Sequence, residues 1–153
     1  MSDVDFGSDA IEWLGVKYKT LLKASDSNGA ISVTDSLSPL HSGPPRHIHH
    51  DADETFVVLT GTVGFWLDGE TTVRGPGESQ FIPRGKPHTF IILEGDLSRH
   101  LVILTPGGFE GFFEDMAAGQ YAIPDDMAQI EQSAQKFNLT FCGPPLTPAD
   151  FGR

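Results

Sequence analysis

Two short stretches of this chain concentrate the residue types that hold metal ions and move protons. His47-Ile48-His49-His50-Asp51-Ala52-Asp53-Glu54 packs three imidazoles and three carboxylates into eight residues, and His88 stands further on. Side chains two apart on a strand share a face, so His47 and His49 converge on a common point while His50 faces away. Glu54 opens the next alternating run, in parity with Phe56 and Val58, and a turn through residues 51–53 brings it back beside the two imidazoles. His88, Phe90 and Ile92 form a comparable row on a later run. Three imidazoles and one carboxylate meeting inside a fold would make a mononuclear metal site with room for water or substrate. That donor set suits one divalent transition metal ion (Fe, Mn, Co, Ni, Cu or Zn) and does not choose among them.

The elements that must position these groups are short and alternating. Val16–Leu21 alternates, and Asp26-Ser27-Asn28-Gly29 reads as a turn whose Asn-Gly pair suits positive φ. Ala30–Thr34, Thr55–Thr60, Val63–Leu67, Thr71–Val73, Gln80–Ile82, His88–Leu93 and Arg99–Leu104 follow as strand candidates. Apolar residues on both sides of Arg99–Leu104 leave His100 without an assigned face. Regular short strands between turn signals predict an all-β sandwich or barrel. After Pro106-Gly107-Gly108, Phe109, Phe112, Phe113 and Met116 share one helical face, which reads most simply as core. A second helix is expected from Pro124-Asp125-Asp126, and Leu139 and Phe141 alternate as a return strand. The expected organisation is one domain over residues 1–153, with a barrel at about 12–105 and a helical tail at about 108–146 packed on it.

Composition narrows the partners. The charge of 10 − 21 = −11 over 153 residues disfavours a nucleic-acid partner, because it repels a phosphate backbone. No apolar run approaches membrane-spanning length, and Met1–Ala10 is acidic without the apolar stretch of a secretory signal. Cys142 is the single cysteine, so no intrachain disulfide forms and the cytoplasm is the expected compartment. What remains is a small-molecule partner.

The spacing of the same residues resembles the cupins. Their first motif runs Gly, five residues, His-x-His, three or four residues, Glu, six residues, Gly; here His47, His49, Glu54 and Gly61 match it, and His41 stands in place of the leading Gly. In the second motif Gly77, Pro83, Gly85 and His88 match, and Ile92 replaces the terminal Asn. Fifteen residues, Thr62–Pro76, separate the two. The segments 98–113 and 137–145 resemble quercetinase-like single-domain cupins, so the likeness covers roughly residues 12–146. The resemblance implies a jelly-roll β-barrel of two antiparallel sheets with a short C-terminal helical extension. It also implies metal binding by His47, His49, Glu54 and His88. A loop of surface histidines is the plainer alternative, but a distant His88 in its own matching motif argues against it. A structural zinc would favour thiolates that this chain lacks.

This resemblance points to a mononuclear metal-dependent dioxygenase of the quercetin 2,3-dioxygenase type, acting with O₂ on a small aromatic or enolic substrate. Glu54, the carboxylate of the set, is the candidate general base. Phe56, Phe65, Phe81 and Phe90 are candidate pocket walls, Arg46 a candidate anchor for an anionic substrate, and His41 a candidate at the site mouth. Two alternatives keep the barrel: a metal-dependent isomerase or cyclase of a polyketide-like carbonyl compound that uses no O₂, and a non-catalytic small-molecule-binding module. Open sheet edges and the habit of the family make a homodimer the expected assembly, with Val16–Leu21 or the helical tail as its seam.

Overall fold

A computed structural model describes residues 6–153; residues 1–5, which open the acidic Met1–Ala10 segment, lie outside the described residues. The elements in chain order are β1 (Ile11–Trp13), β2 (Val16–Leu22), β3 (Ser32–Pro39), β4 (Arg46–His49), β5 (Asp53–Leu67), β6 (Glu70–Arg74), β7 (Ser79–Ile82) and β8 (His88–Thr105), then α1 (Glu110–Gly119), α2 (Met127–Lys136) and β9 (Leu139–Gly143). Turn chemistry sets the connections. Asn28-Gly29 and Asp68-Gly69 both take positive φ (57° and 83°, 48° and 95°), and the second pair is the two-residue turn that matches the twist of β5 and β6.

Every strand pairing is antiparallel, and the strands form an all-β jelly roll of two layers. One layer runs β1-β2-β3, then the second half of β8, the first half of β5, and β7. The other runs β9-β4, then the first half of β8, the second half of β5, and β6. Each of β5 and β8 therefore belongs to both layers. Where the sequence suggested separate strands ending near Gly61 and Leu93, the chain bends and continues, because a glycine at each corner takes a left-handed conformation (Gly61 φ 82°, Gly95 φ 96°). The pairing register shifts at the same place, between Val58 and Val63.

Gly61 sits so close to the opposite strand that an added Cβ would collide with Ser98 Oγ and lie 2.9 Å from the Glu94 carbonyl oxygen. Left-handed backbone alone costs a residue with a Cβ about 1–2 kcal/mol. Gly61→Ala is therefore expected to lower unfolding free energy by about 2–4 kcal/mol, measured by denaturant titration. A loss below about 0.5 kcal/mol would show that the corner relaxes freely.

Between the layers lies an apolar core of Phe56, Val58, Val63, Phe65, Ile82, Ile92, Val102 and Leu104. The helices cover one open end. Phe112 and Met116 of α1, Ile130 and Ala134 of α2, and Leu139 of β9 bury one another. Buried Glu110 fastens the start of α1 by accepting hydrogen bonds from the Ala24 and Gly108 amides (3.0 and 3.2 Å). Trp13 Nε1 donates to the Tyr121 carbonyl at 2.8 Å and ties β1 to the helical segment. Among the described residues no helix is long and apolar enough to cross a membrane.

Candidate metal centre

Strand alternation on β4 sends His47 and His49 into the barrel and Arg46, Ile48 and His50 away from it, and both inward rings are buried. His88, first residue of β8, is the register partner of His47. Glu54 enters from the second position of β5. The turn between β4 and β5 is held by Asn138, whose Nδ2 donates to Asp51 at 2.6 Å, and by the Gly85 amide donating to the His49 carbonyl at 2.8 Å. Arg84, four residues before His88, binds Asp53, just before Glu54, through backbone and side chain (2.9 and 3.2 Å). That pair holds the Asp53 carboxyl below its usual range. It also locks the two approaches to the site together.

One ligand atom from each of His47, His49, Glu54 and His88 falls within 4.8 Å of all the others. Atoms on opposite sides of an ion, each about 2.1 Å from it, stand roughly 4.2 Å apart, so the cluster needs only a small contraction to hold a cation. The rings are already oriented for this. His47 Nδ1 lies 2.8 Å from the Pro45 carbonyl and His88 Nδ1 lies 2.9 Å from the Lys86 carbonyl. A carbonyl only accepts, so both Nδ1 atoms carry hydrogen, and the neutral form of either ring turns an Nε2 lone pair inward. His88 Nε2 is 3.1 Å from Glu54 Oε1, and His49 Nε2 is 3.3 Å from Glu54 Oε2 without hydrogen-bond geometry. Imidazole nitrogens facing a buried carboxylate need positive charge between them, as a proton or as a metal ion. The donor set fits a divalent cation.

Burial pushes the His47 pKa down to about 3, helped by its neighbours His88 and His49. Burial also opposes ionisation of Glu54, but the His49 and His88 rings outweigh it and hold that carboxyl well below its usual range. His47 is thus a neutral imidazole and Glu54 an ionised carboxylate near pH 7.

A cavity of about 390 Å³ adjoins the cluster and reaches His47, His49 and Glu54 at one end. That volume falls within the size range of small-molecule pockets. Phe56 and Phe90 line it, and His41 stands at its exposed rim with φ 65°. Other aromatic candidates lie elsewhere. Phe65 belongs to the core one layer behind, with its ring 5.1 Å from that of Phe56 and 6.3 Å from that of Phe90. Phe81 is 54% exposed, since its neighbour Ile82 takes the inward position of β7 opposite Glu54. Arg46 is no anchor in the cavity: adjacent to His47, it faces the other side of β4 and lies over the Trp66 ring at 4.1 Å. His50 is exposed, with Nε2 2.8 Å from Thr140 Oγ1. The cavity's remaining aromatic walls include Phe109, Phe112 and Phe113, so the stripe read as helix core has a second use. His100 and Ser36 also line it. Their signal was the parity of His100 with Val102 and Leu104, masked by apolar Leu101 and Ile103 on the opposite face.

Residues 36–105 match the family model described as Cupin domain. That segment is a cupin domain. Quercetin 2,3-dioxygenase of Bacillus subtilis (strain 168) is 26% identical to this cupin over 99 residues, a span covering 65% of the chain and 29% of that relative. The chain thus spans well under half of the relative's length. The structure of KdgF from Halomonas sp. superposes with a TM-score of 0.60 at 19% identity over 67% of this cupin and 92% of that chain, a likeness of fold. The polyketide cyclase RemF from Streptomyces resistomycificus superposes with a TM-score of 0.52 at 28% identity, over 69% of this cupin and 79% of that chain.

Proposed function

We propose that this cupin is a mononuclear metal-dependent dioxygenase of the quercetin 2,3-dioxygenase type, acting with O₂ on a small aromatic or enolic substrate. The observation that carries the proposal is a buried three-imidazole, one-carboxylate cluster at the end of a cavity walled by aromatic rings. A divalent cation held by His47, His49, Glu54 and His88 would lower the pKa of a hydroxyl bound to it and polarise the ring that carries it. The remaining roles belong to the chain. Phe56, Phe90 and Phe109 pack against a flat ring and exclude water. Glu54, ionised near pH 7, accepts the enolic or phenolic proton on a carboxylate oxygen. The overall charge of −11 favours a substrate that enters neutral and loses its proton only inside.

A second reading keeps the same residues and drops O₂. The likeness to a polyketide cyclase at 28% identity favours isomerisation or cyclisation of a polyketide-like carbonyl compound, with Glu54 shuttling the proton. An oxygen electrode separates the two. Protein loaded with each of the six candidate metals should consume O₂ when quercetin is added. Product formed without O₂ uptake would turn the assignment to the cyclase, and tight binding with no product under any metal would indicate a binding module. A cytosolic homodimer belongs to the same proposal, supported by the single exposed Cys142 and by exposed Leu14 and Leu21 beside the edge strand.

The ligand assignment has its own test. His49→Ala should weaken zinc binding, read by chelator competition, by at least about 100-fold, beyond the 10–100-fold typical of an outer-shell partner. Unchanged affinity would place the ion elsewhere.

A further inference from the structure

The wall of the cavity formed by the other layer carries a polar group that the proposed reaction does not use. His100 is 1% exposed, and neither of its ring nitrogens finds a hydrogen-bond partner among the described residues. Ser36, also 1% exposed, is its register partner on β3, and the Ser36 hydroxyl is likewise without a partner among the described residues. Two facing polar side chains could satisfy one another, and these do not. Both keep their capacity for a third group. Tyr18 on β2 is in turn the register partner of Ser36, so Tyr18, Ser36 and His100 make one row across three strands, and all three line the cavity. Around them the lining is largely apolar: the Phe56 and Phe90 rings stand 5.7 and 5.3 Å from the His100 ring. Leaving buried polar atoms unpaired is costly in a folded protein, and such groups concentrate where a ligand completes them.

We propose that His100, with Ser36 beside it, is a positioning site for a hydroxyl or carbonyl oxygen at the far end of a flat, polyoxygenated ring compound whose other oxygen lies at the His47–His49–Glu54–His88 cluster. The proposal rests on the ring-substrate reading above and sets the length and pattern of that substrate. Glu54 pairs with Leu104, and His100 lies four residues earlier on β8, about 13 Å of strand. Both side chains turn into the same cavity, so a flat ring compound with oxygens at both ends can meet the two sites at once. The chemistry of the far oxygen follows from the imidazole. Burial pushes the His100 pKa down to about 4, so the ring is neutral near pH 7 and offers one donor and one acceptor. A neutral hydroxyl matches that pair, with the Ser36 hydroxyl adding a second donor. A carboxylate or phosphate at this end would meet one imidazole donor and no positive charge.

The test compares two probes by fluorescence titration of the zinc-loaded protein. 3-Hydroxyflavone carries its oxygens at one end, and 3,4′-dihydroxyflavone adds a hydroxyl on the distal ring. The native protein is expected to bind the dihydroxy probe about 10–100-fold more tightly, the value of one or two well-made buried hydrogen bonds. His100→Phe should bring that ratio close to one, Ser36→Ala should lower it in part, and His100→Gln should restore part of it. Zinc affinity should stay unchanged in all three. Melting temperature should hold or rise in His100→Phe, since two unpaired buried nitrogens are removed. A ratio near one in the native protein, or a ratio that survives His100→Phe, overturns the positioning site and leaves the ring-substrate reading standing. Loss of zinc affinity in His100→Phe also overturns it, by making His100 part of the metal cluster. Failure of both probes to bind the native protein overturns both readings together.

Discussion

Glu54→Gln keeps the fold and lowers turnover of a flavonol by about 10²–10⁴-fold, the range associated with a positioned general base. Glutamine has the size and shape of glutamate, so Ile82 opposite it and the Arg84–Asp53 clamp beside it lose nothing. What it lacks is a charge to accept the substrate proton and to balance the imidazoles around it. The carboxylate oxygens face His88 Nε2 at 3.1 Å and His49 Nε2 at 3.3 Å. An amide NH₂ there would donate to one of them and still leave the proton without an acceptor. Circular dichroism and stopped-flow turnover check the two halves of this expectation. A rate within a few-fold of native removes Glu54 from proton transfer and leaves it only a share in holding the ion.

The second large effect concerns acid. In the metal-free protein His47 and His100 have folded-state pKa values of about 3 and about 4, against the ordinary 6.5. Between pH 6.5 and 4 the unfolded chain binds a proton at each histidine and the folded one does not. The unfolded state therefore gains as pH falls, by up to about 1.4 kcal/mol per pH unit for each group. Over that window the loss amounts to several kcal/mol, a large part of the 5–15 kcal/mol typical of a domain. Glu54 acts in the same direction below its unfolded value of 4.5, because its folded pKa is depressed and its stabilising charge disappears with acid. Thermal melts of metal-free protein from pH 7 to 4.5 should show a steadily falling midpoint. His100→Phe should flatten the slope by about one proton's worth. A midpoint that is flat or rises on acidification would mean that these rings ionise while folded.

The two cases also show what can be read from sequence. His47 and His49 sit two apart with a polar His50 between, so period-two alternation alone puts the pair on one face. Glu54 and His88 each open a run whose apolar row is unmistakable, and the four groups do meet. His100 is opaque for the opposite reason: Leu101 and Ile103, half-buried on the outer face, are as apolar as Val102 and Leu104 on the inner one, and parity then carries no information. Phe65 and Phe81 show a further loss. Alternation orders residues along one strand, but depth within a barrel depends on which layer the strand has entered. The strand ends expected after Thr60 and Leu93 are corners instead, because a glycine with positive φ marks a chain reversal and a corner equally well in one dimension.

That β5 and β8 serve both layers has a consequence for the order in which the protein comes into being. Ser32 pairs with Leu104, a separation of 104 − 32 = 72 residues, and His47 pairs with His88, a separation of 88 − 47 = 41. Contacts this remote close large loops before they bring any reward, which places barrel-like proteins among the slow folders, on the order of milliseconds to seconds. Two of the three imidazoles, with Glu54, emerge from the ribosome well before His88 can join them. A metal ion is therefore bound with all four ligands only after the start of β8 has come back to β4 and β5, so metal loading reports that long-range closure.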